Sequence, residues 1–380
     1  MKIRKGDIKY ISDYLDIYDS AMKFMAESGN KNQWTIDHHP TKEMILNHIS
    51  NGNFYDIWDN DLNSVVACFA LIFGIDDTYN EIEGAWLNDE DYVTIHMVAK
   101  KKSAKGIFHA ISNFAKARCK NVRIDTHKDN IIMQNAILNR GFKYCGIIHL
   151  NDKNHSERLA YQYVEKDIPF QDYKLFIVDY DGTIISSMEM WAHTCSSFLK
   201  EKGCKVCEDI DSKVITMTNR DAASYIQANY LPNLTLFQVI GEMNTYVKKS
   251  YVNQRLKPNA LSLLEKLKSI GKVILYSATS MALLEASLDA LGIKDYFDNI
   301  YSGSELCLSK QDGTGFISLI SKEGFKVEDV LVIEDSTHAI LGAKGQGIKV
   351  LGVEDTSNLR HLFLDYELCD YFLPLNYALK

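Results

Sequence analysis

The sequence predicts an α/β protein in two parts, a mixed α+β sheet domain over residues 1–165 and a doubly wound parallel-sheet domain over residues 173–380. Three observations predict it. At 380 residues the chain is too long for one ordinary domain. Its front part mixes strand-like runs with helical patterns, an order that suits a mixed sheet with helices on its faces. Its back part carries short apolar runs separated by helical stretches, the pattern of buried parallel strands.

Taken in order, a helical pattern covers about residues 8–27. Strand-like runs follow at Asn53–Trp58, Val65–Phe73 and Tyr92–Ala99. A helix over 106–119, the strand Asn121–Thr126 and a helix over 130–139 come next. A hairpin-like pair, Tyr144–Leu150 and Arg158–Val164, closes the block. Polar residues and Pro169 between Glu165 and Asp172 mark the seam. Beyond it, Leu175–Val178, Val273–Tyr276, Val330–Ile333 and Lys349–Val353 read as parallel strands. Roughly ninety residues separate the first two, whereas a crossover needs about a dozen. Much of 187–255 reads as helix, so a helical insertion over the carboxyl edge of the sheet is expected.

Composition narrows the function. A hydrophobic share of 46% is that of a core-forming protein, and the longest apolar run, Val65–Phe73, is too short to span a bilayer. The amino terminus is charged and precedes no apolar signal region. Eight cysteines lie scattered without a framework, which suits reduced thiols in a cytoplasmic setting. Cys204 and Cys207 read as a chance pair rather than half of a zinc site. A net charge of −8 argues against a general nucleic-acid partner, and no membrane partner is expected. Eleven basic residues nevertheless lie between Lys100 and Lys143. They read either as a solvated face or as a site for a small polyanion.

Asp179-Tyr180-Asp181-Gly182-Thr183 directly follows the strand Leu175–Val178. Residues two apart in extended chain face one side, so two carboxylates aim at one point where open α/β sheets bind ligands. Such a pair implies a bound cation, a shared proton, or one acid and one base. Ser277 ends the second strand of this block, Glu334-Asp335 ends the third, and Lys310 lies 24 residues before Glu334. Each alone has a plain structural reading as a helix cap, a solvated loop or a surface lysine. Together they suit phosphoryl transfer.

This order resembles the haloacid dehalogenase (HAD) superfamily, from about Tyr173 to the carboxyl terminus. The resemblance implies a Rossmannoid sheet with a helical cap. Asp179 would be the nucleophile that forms an aspartyl-phosphate, and Asp181 the acid and base. Ser277 and Lys310 would hold the phosphoryl group, with Gly182, Thr183 and Ala278 beside it. Mg2+ would sit on Asp179, the backbone carbonyl of Asp181, and Asp335, with Glu334 close by. True dehalogenases lack an acid at the place of Asp181, so the resemblance implies a phosphatase or phosphomutase acting on a small phosphorylated metabolite. Gln311 and Ala339 depart from the common proline and glycine, and neither carries chemistry.

In the front block, Lys100 to Gly106 joins a strand to a helix start, which reads either as an ordinary turn or as an anion site made by backbone amides and lysines. With Thr94 to Ala99, Arg123 to His127, Asn130 and Asn139-Arg140-Gly141-Phe142, this stretch resembles the GNAT acetyltransferases. Trp34 and His39-Pro40 fall near a Trp and a Tyr-Pro of some members. The resemblance implies acetyl-CoA between splayed strands. Met97, Val98 and Ala99 would lie on the pantetheine, Ser103, Ala104, Lys105, Gly106, Ile107 and Phe108 on the pyrophosphate, with Asn130 nearby. The acceptor would be a small amine. Ser103 and Phe108 depart from the family's loop, and Ile137 stands where a tyrosine often protonates the thiolate. The block is therefore either an acetyltransferase or a ligand-sensing module. His96, Glu81 and Glu83 read as structural residues of strands.

Overall fold

The computed structural model describes residues 1–30, 34, 40–152, 155–214, 217, 219–355 and 361–374. The chain divides into two compact units, Met1–Ile168 with Asn358–Tyr377, and Pro169–Ser357 with the last three residues.

The first unit is built on the strands β1 (Lys2–Lys5), β2 (Phe54–Asp59), β3 (Ser64–Phe73), β4 (Glu83–Gly84), β5 (Val93–Lys100), β6 (Asn121–Thr126), β7 (Lys143–His149) and β8 (Glu157–Val164). They form one sheet in the order β1-β2-β3-β5-β6-β8-β7-β4. Only β5 and β6 pair in parallel, and their ladder holds just Val93 to Ile95 against Val122 to Ile124. Past Ile95 the two strands part, the splay that the resemblance implies. A bulge drives it. Cys68 faces Ala99 and Ala70 faces His96, so two residues of β5 stand opposite one of β3, and Met97 takes φ +56°.

Helices cover both faces. On one, α1 (Ile11–Glu27) places Tyr14, Ile17 and Tyr18 against Phe54, Val65 and Cys68, and α2 (Lys42–Ser50) adds Ile45. The i, i+3, i+4 spacing of the three α1 residues makes that stripe. On the other face, α3 (Ile107–Arg118) buries Ile111 and Phe114 against Tyr55 and Phe69, and α4 (Ile131–Leu138) contributes Ile137.

The basic stretch divides. Lys116, Lys120 and Arg123 are buried. Arg123 lies between the rings of Trp86 and Tyr92, 4.0 and 3.8 Å from their centroids, and the Lys116 ammonium sits 3.7 Å over Tyr163. Lys120 instead donates to Asp167 Oδ1 at 3.0 Å, so neither reading of the stretch describes these three buried cations.

The second unit contains β9 (Leu175–Val178), then the helices α5 (Met188–Ala192), α6 (Thr194–Glu201), α7 (Ile210–Val214), α8 (Asn219–Asn229) and α9 (Leu236–Tyr251). It continues with α10 (Ala260–Ile270), β10 (Lys272–Ser277), α11 (Met281–Leu291), β11 (Asn299–Ser302), α12 (Gly303–Leu306), α13 (Thr314–Glu323), β12 (Val330–Glu334), α14 (Thr337–Gly345) and β13 (Lys349–Val353). Five strands of a six-stranded sheet neighbour one another as β11-β10-β9-β12-β13, and each of these pairs is parallel. Chain order therefore runs outward from β9 in one direction, then returns and runs outward in the other. The helices α5–α9 form the insertion and have their own core of Phe198, Leu199, Ile210, Ile226 and Val239. The chain enters and leaves this cap through paired linkers, where Ser186 N donates to Arg255 O at 2.9 Å and Lys257 N to Ile184 O at 2.8 Å.

The end of the chain corrects the expectation that everything from 173 to 380 forms one domain. The helix α15 (Leu362–Leu368) packs on α3, and Leu362, Phe363 and Phe372 are buried in the first unit's core. Tyr366 donates to Glu165, and Asn113 Nδ2 to Phe363 O at 3.4 Å. An apolar helix face has to be buried somewhere, and α3 supplies the matching surface.

Candidate active site and cofactor groove

Register in the second sheet builds its site. Val178 is level with Leu275 on one side and Ile333 on the other. The next residues, Asp179, Tyr276 and Glu334, therefore emerge together at the carboxyl ends of the strands, where the strand order reverses. Asp179, Glu334 and Asp335 are all buried, with one carboxylate oxygen from each within 4.8 Å of the others. Lys310 donates to Asp179 Oδ1, and to Glu334 Oε2 at 2.8 Å. Glu334 Oε1 accepts from the amides of Asp335 and Ser336 at 3.2 and 3.1 Å.

Thr183 Oγ1 donates to Asp335 Oδ1 at 3.0 Å, so its hydroxyl orients that carboxylate. Gly182 takes φ +78°, and a Cβ there would collide with Asp335 Oδ2. Glycine is therefore required both by the backbone and by the approach of the acid.

The Asp181 side chain is held by donors from the cap and from the end of β10. Its Oδ1 accepts from Ser187 Oγ at 2.7 Å and Trp191 Nε1 at 3.0 Å. Its Oδ2 accepts from Thr279 Oγ1 at 2.7 Å, Tyr251 Oη at 2.9 Å and Ser277 Oγ at 3.3 Å. Ala278 lies in the loop between the two β10-side donors.

A further residue, Lys257, is buried where the cap rejoins the sheet domain. Its ammonium donates to Gly182 O, to Glu354 O at 2.7 Å, and meets Asp355 Oδ2 at 3.0 Å. Lys257, Thr279, Tyr251 and Ser187 were not singled out for this site from the sequence. The polar Lys257 beside Pro258 at the end of the insertion was the one available sign.

Electrostatics follow from this crowding. Burial, then the charge of Glu334, pushes the Asp179 carboxyl up to about 7, against the pull of Lys310. Asp335 is raised well above the usual carboxylate range by burial, then by Glu334 and Asp179. Burial disfavours the charge on Lys310, yet Asp179 and Glu334 outweigh it and hold the ammonium above its ordinary value.

In the first unit, a cavity of about 1020 Å3 runs along the start of α3 and the end of β5. Val98, Ala99, Ala104, Lys105, Gly106, Ile107, Phe108 and Asn130 line it; Met97 lines a second, adjoining cavity, and Ser103 lines neither. Gly106 takes φ +69° immediately before the first turn of α3. Phe108 turns toward Phe142, the ring centroids 6.5 Å apart, and packs against the core. Ile137 is wholly buried. Trp34 packs on Tyr18 beside the cavities, Pro40 is buried, and His39 lies outside the described residues. Cys204 and Cys207 are both free, and among the described residues the acidic cluster is the one group placed to hold a metal. Among the described residues no helix is long and apolar enough to cross a membrane.

A doubly wound sheet with clustered acids at its strand-order reversal, under a helical insertion, defines a class of α/β proteins that take ligands at that crevice. Residues 176–353 match the family model for haloacid dehalogenase-like hydrolases. The bifunctional riboflavin kinase/FMN phosphatase of Arabidopsis thaliana is 25% identical over 189 residues, 49% of this chain and 50% of that protein. The chain thus spans about half the length of this curated relative. A GNAT-family acetyltransferase from Streptococcus agalactiae is similar in structure at 26% identity and a TM-score of 0.40, over 43% of this chain and 95% of that one. A haloacid dehalogenase-like hydrolase from Streptococcus pneumoniae is similar at 19% identity and a TM-score of 0.39, over 53% of this chain and 93% of its own.

Proposed function

We propose that the chain is a bifunctional enzyme. The second unit hydrolyses a small phosphomonoester through an aspartyl-phosphate with Mg2+, and the first transfers an acetyl group from acetyl-CoA to a small amine. The observation that carries the phosphatase reading is the convergence of Asp179, Glu334 and Asp335 with Lys310 at the rim of β9 and β12.

The donor set fits a hard divalent cation. Three buried carboxylates with one neighbouring ammonium leave an excess of negative charge, and both Asp179 and Asp335 are pushed toward protonation in its absence. Asp179, Asp335 and the Asp181 carbonyl would hold the ion, with Glu334 beside them. When bound, it supplies charge neutralisation at the phosphate oxygens.

Asp179 attacks phosphorus, and Lys310 and Ser277 hold the phosphoryl oxygens, with the amides of Gly182, Thr183 and Ala278 at hand. Asp181 gives its proton to the leaving oxygen and then takes one from water. Its five donors fix where that carboxyl stands, and some must let go for it to carry a proton. A screen of phosphorylated metabolites with and without magnesium tests this reading; no magnesium-dependent phosphate release from any of them would refute it.

For the first unit, the β5/β6 splay, the left-handed Gly106 before α3 and the lysines along the large cavity support an acetyl-CoA site. Ile137 favours a second reading, a module that senses CoA. Its burial leaves no phenol at the place expected of the thiolate's acid. Calorimetry with acetyl-CoA followed by thiol-release assays separates the two. Tight binding without turnover across a broad amine panel would favour the sensor.

A further inference from the structure

The smaller cavity of the first unit, about 320 Å3, has a wall unlike that of its neighbour. The two share Met25, Trp34, Val98, Asn130 and Met133, so they adjoin where β5 and β6 part. Into the smaller one face Asp76, His96, Asp125, Thr126, Arg158 and His48. His96 Nε2 lies 2.7 Å from Asp76 Oδ2, and its Nδ1 lies 3.8 Å from Asp125 Oδ1. Asp125 also accepts from Tyr79 Oη at 2.7 Å and has Arg158 Nε at 3.9 Å.

Two polar atoms on this wall have no partner among the described residues. Thr126 is 1% exposed and its Oγ1 is unbonded, and the half-buried His48 has an unbonded Nδ1. A buried hydroxyl without a partner is costly, and a ligand that completes it removes the cost. The volume lies at the lower end of small-molecule sites.

We propose that this chamber binds a small primary ammonium ion between Asp125 and Thr126, in exchange for the proton of His96. A carboxylate near each ring nitrogen favours the imidazolium over the neutral ring. Burial opposes that charge, and Asp76 and Asp125 outweigh burial. The groups that face the ring are Asp76, Asp125, the Tyr79 ring at 5.9 Å, His48 from α2, and Arg158 by way of Asp125. A second cation arriving beside Asp125 disfavours the imidazolium. One ammonium enters, one proton leaves to solvent, and the net charge of the chamber is unchanged.

The consequence for catalysis rests on the acetyl-transfer reading. Neutral His96 takes a proton from the ammonium, and the freed lone pair attacks the thioester carbonyl. A C–N bond forms and the C–S bond breaks. The departing thiolate takes the second proton from nitrogen. His96 is then a catalytic residue, and Asp76 a positioning residue that orients its ring.

Calorimetry on the full chain without acyl donor tests the binding claim. Ethanolamine, putrescine, phenethylamine and glucosamine are the probes, each beside its N-acetyl derivative, in two buffers of different ionisation heat. At least one amine is expected to bind with release of up to one proton, and its N-acetyl form roughly tenfold more weakly or worse. Asp125→Asn and Thr126→Val should each weaken the amine, and His96→Gln should retain binding but lose proton release. Acetyl-CoA affinity should be unaffected in all three.

Equal binding of amine and N-acetyl form, unaltered amine affinity in both Asp125→Asn and Thr126→Val, or no binding by any probe to protein that binds acetyl-CoA would overturn the proposal. Amine binding with no acetyl-CoA binding would instead uphold this site and remove the acetyl-transfer reading.

Discussion

Asp181 accepts from five donors, which come from the cap as well as the sheet. The amide of Asp181→Asn keeps the size of the side chain and removes its proton chemistry. Steady-state phosphate release should then fall by about 10²–10⁴ with folding intact. Retention of near wild-type turnover would take the acid/base role from Asp181.

At the same scale, the His96–Asp76 pair should leave a pH signature on stability. Burial raises the Asp76 carboxyl, but His96 and Thr78 outweigh this and hold it at about 2. Its contribution is full above the unfolded value and lost as pH falls toward 2. His96 is raised above its ordinary value, so its contribution is full below about 6.5 and lost as pH rises through the folded value. The penalty of Asp76→Asn on melting temperature should therefore be largest between about pH 4 and 6.5 and shrink above it.

How much of the site was legible also shows here. Asp179 and Glu334 could be read because strand ends are visible as apolar runs and the chemistry follows them directly; Lys310 follows no strand directly and was read from its spacing before Glu334 and the resemblance. Lys257, Thr279 and Tyr251 could not be read as partners of that site. Each meets it across a long sequence gap, and a lone lysine or tyrosine carries no local sign of its partner.

Among the elements, the long periodic ones were evident and the short or charged ones were not. β1 reads Lys-Ile-Arg-Lys, with Ile3 alone in the core, because it is an edge strand that pairs only with β2. α2 buries little beyond Ile45, and β11 is four residues long. α15 was missed for a different reason: its apolar face is plain, but nothing local says it returns to α3. Phe363→Ala should cost about 3–5 kcal/mol, seen as loss of the first unit's folded signal in chemical denaturation. A negligible loss would mean that α15 is not part of that core. At the start of α3, Lys105→Glu should raise the acetyl-CoA dissociation constant and leave phosphate release unchanged, since the exposed lysine beside Gly106 faces the large cavity.

For the molecule as a whole, the parallel sheet was legible in apolar segments separated by helical stretches, because each parallel pair needs a crossover, but the order of its strands was not. The return of α15 to the first unit was not, since tertiary packing alone decides it. The proposed cation also acts at this scale. It relieves repulsion among acids spread over more than 150 residues of chain, so magnesium should raise the melting temperature and chelation should reverse the rise. At a hundredfold excess over its Kd, the gain is about 2.7 kcal/mol.

The nucleophile itself is accessible to covalent trapping. Wild-type protein turning over a phosphoester with magnesium is quenched rapidly and reduced with borohydride, and its peptides are sequenced by mass spectrometry. Conversion of Asp179 to homoserine, absent without magnesium, is expected. An unmodified Asp179 during rapid turnover, or modification of another carboxylate in its place, would contradict it.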